Sequence, residues 1–325
     1  MDIINEKIDI KENTIYKLDY NLLSTLLKDH STNRNIIWAT DNYLEKGLGY
    51  RFHDEITIEK ITGFNGQVIK PRIKKSKQEQ IRRVRDKAEV FTPSWICNRQ
   101  NNLVDNAWFQ EKNIFNIEYE NCWKTNKEKI KFPSKSNKSW EEYVNSKRLE
   151  MSCGEAPYLV SRYDTVSGCI LPICDRIGIL DRKLRVVNEN TTSKEDWQTW
   201  VVNAYKATFG YEWQGDSVLI ARENLLYTYI DYFYDRYNEY PKMDDVMKIA
   251  EIISWNIWQM DGLKGVVPCS CKNDEIIEYT LFGEVKQNFV CKGCRKNNIK
   301  LHNGIYCKIM NWDSNRKIKF ISLLK

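Results

Sequence analysis

The chain has no run of eighteen apolar residues, about the shortest stretch that crosses a membrane as a helix. Its opening residues, MDIINEKIDIKEN, are charged and lack the apolar core of a secretion signal. The two absences together predict a cytoplasmic protein with no membrane span. Histidine is scarce: His30, His53 and His302 stand far apart in sequence. No zinc-hydrolase, nuclease or phosphate-loop pattern gathers around them, and a PD…(E/D)xK nuclease motif finds no clean anchor. Proline is scarce too. After Pro172 only Pro241 and Pro268 follow, and neither has a proline neighbour.

What is present fits a globular protein. The 325 residues are 42% hydrophobic, enough for two or three domains with real cores. The net charge of +6 suits a nucleic-acid partner without requiring one. Six of the ten cysteines are scattered: Cys97, Cys122, Cys153, Cys169, Cys174 and Cys307. In a reducing compartment they are expected as thiols in or near the core.

Residues 1–84 mix short apolar runs with charge and carry no fold signature. Within Lys70–Lys87, nine Lys or Arg face two acids, Glu79 and Asp86. This run fits a solvated helix with its preceding loop, or a phosphate-contacting patch. In AEVFTPSWICNRQNNLVDNAWF, Val90 and Phe91 end an extended piece. Thr92 can cap a helix that starts at Pro93. Ile96, Leu103, Trp108 and Phe109 would form its buried face. Ser139 and Glu142 spell a capping box, opening a further helix.

That helix leads into LEMSCGEAPYLV, Leu149 to Val160. The stretch reads as a buried strand, a tight turn crowded with Ser152, Cys153, Gly154 and Ala156, and the start of a helix. Small residues let a backbone come close to a ligand. A pyrophosphate site wants more glycines, Pro157 limits the N–H supply, and Glu155 would repel an anion. A ligand bearing an amine, a sulfonium and a ribose fits better. A ligand-free strand-to-helix turn remains the plain alternative.

Beyond Val160 the pattern turns helical. TSKEDWQTWVVNAYKATF is expected to run as a helix to Gly210. A second helix begins in YEWQGDSVLIARENLLYTYIDYFYDRY. MDDVMKIAEIISWN adds a third, followed by a strand from Ile257 to Met260. Glu212 falls between a short extended stretch and a helix, where an acid can accept from ribose hydroxyls; a first-turn acid favoured by the helix dipole explains it equally. Asp261 falls at a strand's carboxyl end, where it can accept from an adenine amino group or simply shape a turn.

These residues resemble amino-N6 adenine DNA methyltransferases whose cofactor motifs precede the catalytic one. The matching stretches are EVFTP (Glu89–Pro93), EMSCGEAPYL (Glu150–Leu159), the acids Glu212 and Asp261, and the IARENLL helix. The likeness covers about residues 85–265 and is closest to the M subunit of a split restriction–modification system. Met151 stands in place of a frequent proline, and Ala156 in place of the second glycine.

The resemblance implies a Rossmann-like, S-adenosylmethionine-dependent α/β fold with helical additions. Glu150, Ser152, Cys153, Gly154, Tyr158, Glu212 and Asp261 would hold the cofactor, and Thr92 and Pro93 would shape its methionine end. The family's catalytic (N/D)PP(Y/F/W) motif, which grips the flipped adenine, is missing. The chain ends at KIKFISLLK, about where a typical member reaches that motif, so the fold is expected to be incomplete and no catalytic residue is assigned. A second subunit with an NPPY-type motif, and with or without a nuclease, would complete the enzyme on double-stranded DNA. The alternative is a non-catalytic nucleic-acid-binding protein or scaffold that kept the fold.

The segment PCSCKNDEIIEYTLFGEVKQNFVCKGC carries Cys269, Cys271, Cys291 and Cys294. Two thiol pairs flank a hairpin-like stretch, which predicts a ribbon around a closed, structural zinc. The first pair has one intervening residue, tighter than the usual spacing. The expected organisation is 1–84 as an N-terminal region contacting DNA or the partner, 85–265 as the methyltransferase-like domain, 266–306 as a cysteine-rich zinc ribbon, and 307–325 as C-terminal strands.

Overall fold

The computed structural model describes residues 8–87, 89, 91–133, 138–280 and 283–324. Val90, Leu281, Phe282 and the 134–137 part of the polar run lie outside the described residues. Three short strands, β1 (Arg148–Met151), β2 (Thr208–Glu212) and β3 (Ile257–Gln259), form a parallel sheet in that order. Leu149 lies opposite Phe209 and Met151 opposite Tyr211, while Tyr211 lies opposite Trp258 on its other side.

Parallel neighbours need crossover connections, and helices supply them. After α1 (Ser94–Phe109), helices α2 (Ile179–Asn190) and α3 (Lys194–Lys206) connect β1 to β2. Helices α4 (Gly215–Tyr237) and α5 (Met243–Asn256) connect β2 to β3. The result is a mixed α/β architecture of a generic Rossmann-like kind. No helix among the described residues is long and apolar enough to cross a membrane.

Alternation along the strands gives the sheet two faces. Phe209, Tyr211 and Trp258 share one face. There Ile309 and Phe320 cover them from the C-terminal hairpin of Lys308–Asn311 and Arg316–Lys319. On the other face Gly210 leaves room for the loop after β1 and for the neighbouring strand: a Cβ there would lie 3.2 Å from both Cys153 Sγ and Ile257 Cδ1. The predicted end of α3 at Gly210 is therefore corrected. The helix stops at Lys206, and Gly210 lies inside β2.

Helix α4 is buried almost all round, so its polar side chains have internal partners. Arg222 donates to four carbonyls: Ile257 at 2.8 Å, Leu26 at 2.5 Å, Lys28 at 2.9 Å and Ser254 at 3.1 Å. Burial pulls its pKa down to about 10, against the attraction of Asp29. The helix Tyr20–Leu27 buries Leu22, Leu23, Leu26 and Leu27 in the same apolar core as α4 and α5.

Three local expectations change. Helix α1 starts at Ser94, not Pro93, and Thr92 does not cap it. The Ser94 N–H is instead accepted by Asp164 at 2.5 Å. Its buried face is largely polar, built from Asn98, Asn101, Asn102 and Asp105; of the expected apolar residues Phe109 is buried, Ile96 and Trp108 are half-buried and Leu103 is exposed. Partners explain this: Asp105 binds Arg182 at 2.5 Å and Tyr143 at 3.0 Å. The Ser139–Glu142 capping box forms as predicted. Of the six scattered cysteines, Cys97, Cys153 and Cys307 are buried, and Cys122, Cys169 and Cys174 are exposed.

Candidate ligand site and metal centre

The strand tips of an open parallel sheet are where its loops gather ligands. Beyond β1 the chain turns three times through left-handed backbone, with φ of 51° at Ser152, 53° at Gly154 and 62° at Ala156. Ala156 thus adopts the conformation that glycine tolerates best. No regular helix follows. The Leu159 and Val160 amides close a single turn on the Ala156 carbonyl, at 3.1 and 2.9 Å, and the next α-helix begins at Ile179. The strand is also less buried than predicted, because β1 is the sheet edge: Leu149 is 44% and Met151 69% exposed.

The loop is tied to the next strand tip. The Gly154 amide donates to Glu212 Oε2 at 2.9 Å. The other Glu212 oxygen accepts from the Trp213 and Gln214 amides, at 2.7 and 3.2 Å. Burial raises the Glu212 pKa, and these three amides oppose the rise. Glu150 Oε1 accepts from the Tyr158 amide at 3.4 Å, while its Oε2 is buried with no donor among the described residues. Burial holds the Glu150 pKa well above the usual carboxylate range.

The upstream TP segment lies against this loop. Tyr158 shares side-chain hydrogen bonds with Thr92 and Cys97. Phe91 faces Gly154, and the Thr92 carbonyl accepts from Thr165 Oγ1 at 3.2 Å. Thr92, Pro93, Glu150, Gly154, Tyr158 and Glu212 therefore gather around one loop. Cys153 contributes its backbone, donating to the Tyr211 carbonyl at 2.9 Å, and its thiol is buried against Gly210.

One acid behaves differently from its sequence reading, and a second takes the plainer of its two readings. Glu155 is turned inward: it accepts from the Arg72 amide at 2.6 Å and the Tyr163 hydroxyl at 2.7 Å. It does not face a ligand, so its charge excludes none. Asp261 closes its own turn, accepting from the Leu263 and Lys264 amides at 3.1 and 3.2 Å and pairing with Lys264 Nζ at 3.3 Å.

The basic stretch divides into an internal and an external part. Arg83 is buried and donates to Asp216 at 2.5 Å, Glu89 at 2.8 Å and the Tyr43 hydroxyl at 3.0 Å. Buried Lys75 lies 3.8 Å from Asp216. Burial pushes the Asp216 pKa up, but Arg83 and Lys75 outweigh it and hold the carboxyl well below its usual range. Lys74, Lys77 and Arg82 face solvent.

No protein-family model, curated protein or solved structure matches the chain. The site is therefore read from its own geometry.

The metal centre corrects one predicted ligand. Donor atoms of Cys271, Cys291, Cys294 and His302 all lie within 4.8 Å of one another. Cys269 is not among them. In an extended segment, residues two apart tend to share a face, but Cys269 has a left-handed φ of 52°, which breaks that alternation. The three sulfurs lie 3.5, 3.7 and 3.6 Å from His302 Nδ1. A tetrahedral zinc with ordinary Zn–S and Zn–N bonds has S···N edges of about 3.6 Å.

Gly293 permits this closeness, because a Cβ there would sit 2.6 Å from His302 Nδ1. Cys291 is buried, which raises its pKa. The Asn303 amide, 3.3 Å from its sulfur, and the Cys294 and Gly293 amides reverse this and bring it to about 6. The hairpin between the thiol pairs forms as predicted, with Asp274–Thr280 antiparallel to Gly283–Phe289. His302 was missed because it lies beyond the second pair. Its signal was its place, eight residues after Cys294 and preceding the HNG turn.

Proposed function

We propose that the chain is the S-adenosylmethionine-binding subunit of a DNA adenine-N6 methyltransferase of a restriction–modification system. A partner chain would supply the (N/D)PP(Y/F/W) motif. The observation that carries this reading is the pairing of Gly154 with Glu212 beside the undonated Glu150 Oε2, at neighbouring tips of a parallel sheet. A buried carboxyl group with an unpartnered oxygen and a raised pKa favours a ligand that brings a cationic donor, such as an ammonium, whose charge would draw that pKa back down.

In this reading Glu212 accepts from ribose hydroxyls and Glu150 from the ligand's ammonium. Gly154 keeps the loop close to the ligand, and Thr92, Pro93 and Tyr158 border the methionine end. The bound cofactor supplies an electrophilic methyl group. In-line displacement leaves the protein mainly positioning and electrostatics to provide. The open edge of β1, with Leu149 and Met151 exposed, supports a partner that continues the sheet. The exposed lysines and arginines of the 70–87 stretch would face DNA phosphate or the partner. We take the metal to be a structural zinc, since three sulfurs and one nitrogen leave no open position.

One observation favours the scaffold alternative: the Asp261 carboxylate and both Glu212 oxygens already have backbone donors. Calorimetric titration of S-adenosylmethionine into the chain, alone and with its partner, separates the readings. Saturable binding weakened by Glu212→Ala supports a cofactor subunit. Absence of binding in both preparations moves the reading to the scaffold.

A further inference from the structure

The turn carrying Asp261 is built onto the metal module. Asp261 and Val266 form a bridge, with the Asp261 amide donating to the Val266 carbonyl at 2.8 Å. The Gly265 amide returns to the Asp261 carbonyl at 2.8 Å. Val266 is bridged in turn by Tyr306. The Val267 amide donates to Ile305 O at 2.8 Å, and the Cys307 amide to Gly265 O at 3.1 Å. So the strand-like return of residues 305–307 holds the far side of the Asp261 turn, at Gly265 to Val267.

That return is fixed to the metal ligands. The Tyr306 hydroxyl accepts from the His302 amide at 2.9 Å and donates to Ile299 O at 3.0 Å. The Ile305 amide donates to Ser270 Oγ at 3.0 Å, next to Cys271. Gly265 is wedged in the joint: a Cβ there would lie 2.6 Å from Ile321 and 3.5 Å from Ile299. Backbone at Gly265, with φ of 67°, also suits glycine best.

We infer that metal loading of Cys271, Cys291, Cys294 and His302 sets the Asp261 turn, and through it the adenine side of the cofactor site. The second half of this statement rests on the methyltransferase reading; the first half stands without it. The physical reason is local. Four ligands spread over residues 271–302 have little else to hold them, and a metal bond network substitutes for a core in so small a module. When the ion leaves, residues 299–306 lose their tie to the metal ligands, while Cys307 stays packed with Tyr211 and Trp258. The Asp261 turn then loses its partners on one side.

The test compares zinc-loaded protein with protein stripped by a chelator and with Cys294→Ser. Hydrogen exchange is followed peptide by peptide, and S-adenosylmethionine is titrated calorimetrically. The expected result is loss of protection at 261–267 with α2 and α4 still protected, and at least tenfold weaker cofactor binding. Both changes reverse on adding zinc. Unchanged exchange at 261–267 in stripped protein overturns the coupling. Loosened exchange with unchanged affinity overturns its reach to the cofactor. If neither form binds the cofactor, the methyltransferase reading falls, while the exchange data still decide the coupling. Loss of protection across α2 and α4 would mean global unfolding and would also overturn a local role.

Discussion

The Gly154 amide donates to Glu212 Oε2 at 2.9 Å, joining the loop after one strand to the tip of the next. Burial raises the Glu212 pKa above its ordinary value. A carboxylate with a raised pKa takes up its proton at a higher pH than usual. Once protonated it is a poorer acceptor for ribose hydroxyls. Cofactor affinity is therefore expected to fall as pH drops, beginning above the ordinary carboxylate range of about 4.3 for Glu. Calorimetric titrations across a pH series check this. Affinity that holds steady until ordinary carboxylate pH contradicts the assignment of Glu212.

Asp216 serves stability rather than binding. It is fully buried between Arg83, Lys75 and Tyr43. Asp216→Ala takes the paired carboxylate from buried Lys75 and leaves Arg83 with Glu89, and should cost about 3 kcal/mol, the low end for breaking a buried pair. The folded pKa of Asp216 is depressed, so its contribution is present above the unfolded value and lost as pH falls. Denaturant unfolding of both proteins should show the gap narrowing below about pH 4. A constant gap down to acid pH would contradict the pairing.

Metal stoichiometry separates His302 from Cys269. His302→Ala should lose the ion or bind it far more weakly. Cys269→Ser should keep one ion per chain, because its thiol lies outside the cluster. Elemental analysis after dialysis against a weak chelator reads both. The reverse pattern would restore the four-cysteine assignment.

The edge of β1 gives a prediction about assembly. Met151→Asp adds a charge to an exposed apolar position on the edge strand. It should weaken association with the catalytic partner at least thirtyfold, roughly the 2 kcal/mol of a strong interface residue. Cofactor binding by the chain alone should stay within about twofold. A pull-down titration with the purified partner measures the first and calorimetry the second.

Patterns with local causes were legible in the sequence. The Ser139–Glu142 box, the long helix beginning near Gly215 and the strand at Ile257 each follow from a few neighbouring residues, and each is present. The gathering of Thr92, Glu150, Gly154, Tyr158 and Glu212 followed from motif order. What failed depended on remote partners. The polar face of α1 looks like a surface until Arg182 and Tyr143 are opposite Asp105. Glu155 looks like a ligand-facing acid until Arg72 and Tyr163 claim it. His302 looks isolated because the fold, not the spacing, brings it to the thiols. Leu149 and Met151 look like core because an alternating apolar pattern cannot say which strand lies at an edge.

Arg222 sets how the chain can be divided. Its guanidinium is held by carbonyls from residues 26, 28, 254 and 257, with no carboxylate in direct contact among them. Cutting away the first thirty residues would strip the buried cation of two of its four carbonyls and empty the apolar interior beside it. Among the described residues this guanidinium ties the amino-terminal segment to the helix and strand that follow it. Limited proteolysis should accordingly release no stable fragment starting near residue 85, and a shortened gene beginning there should yield insoluble protein.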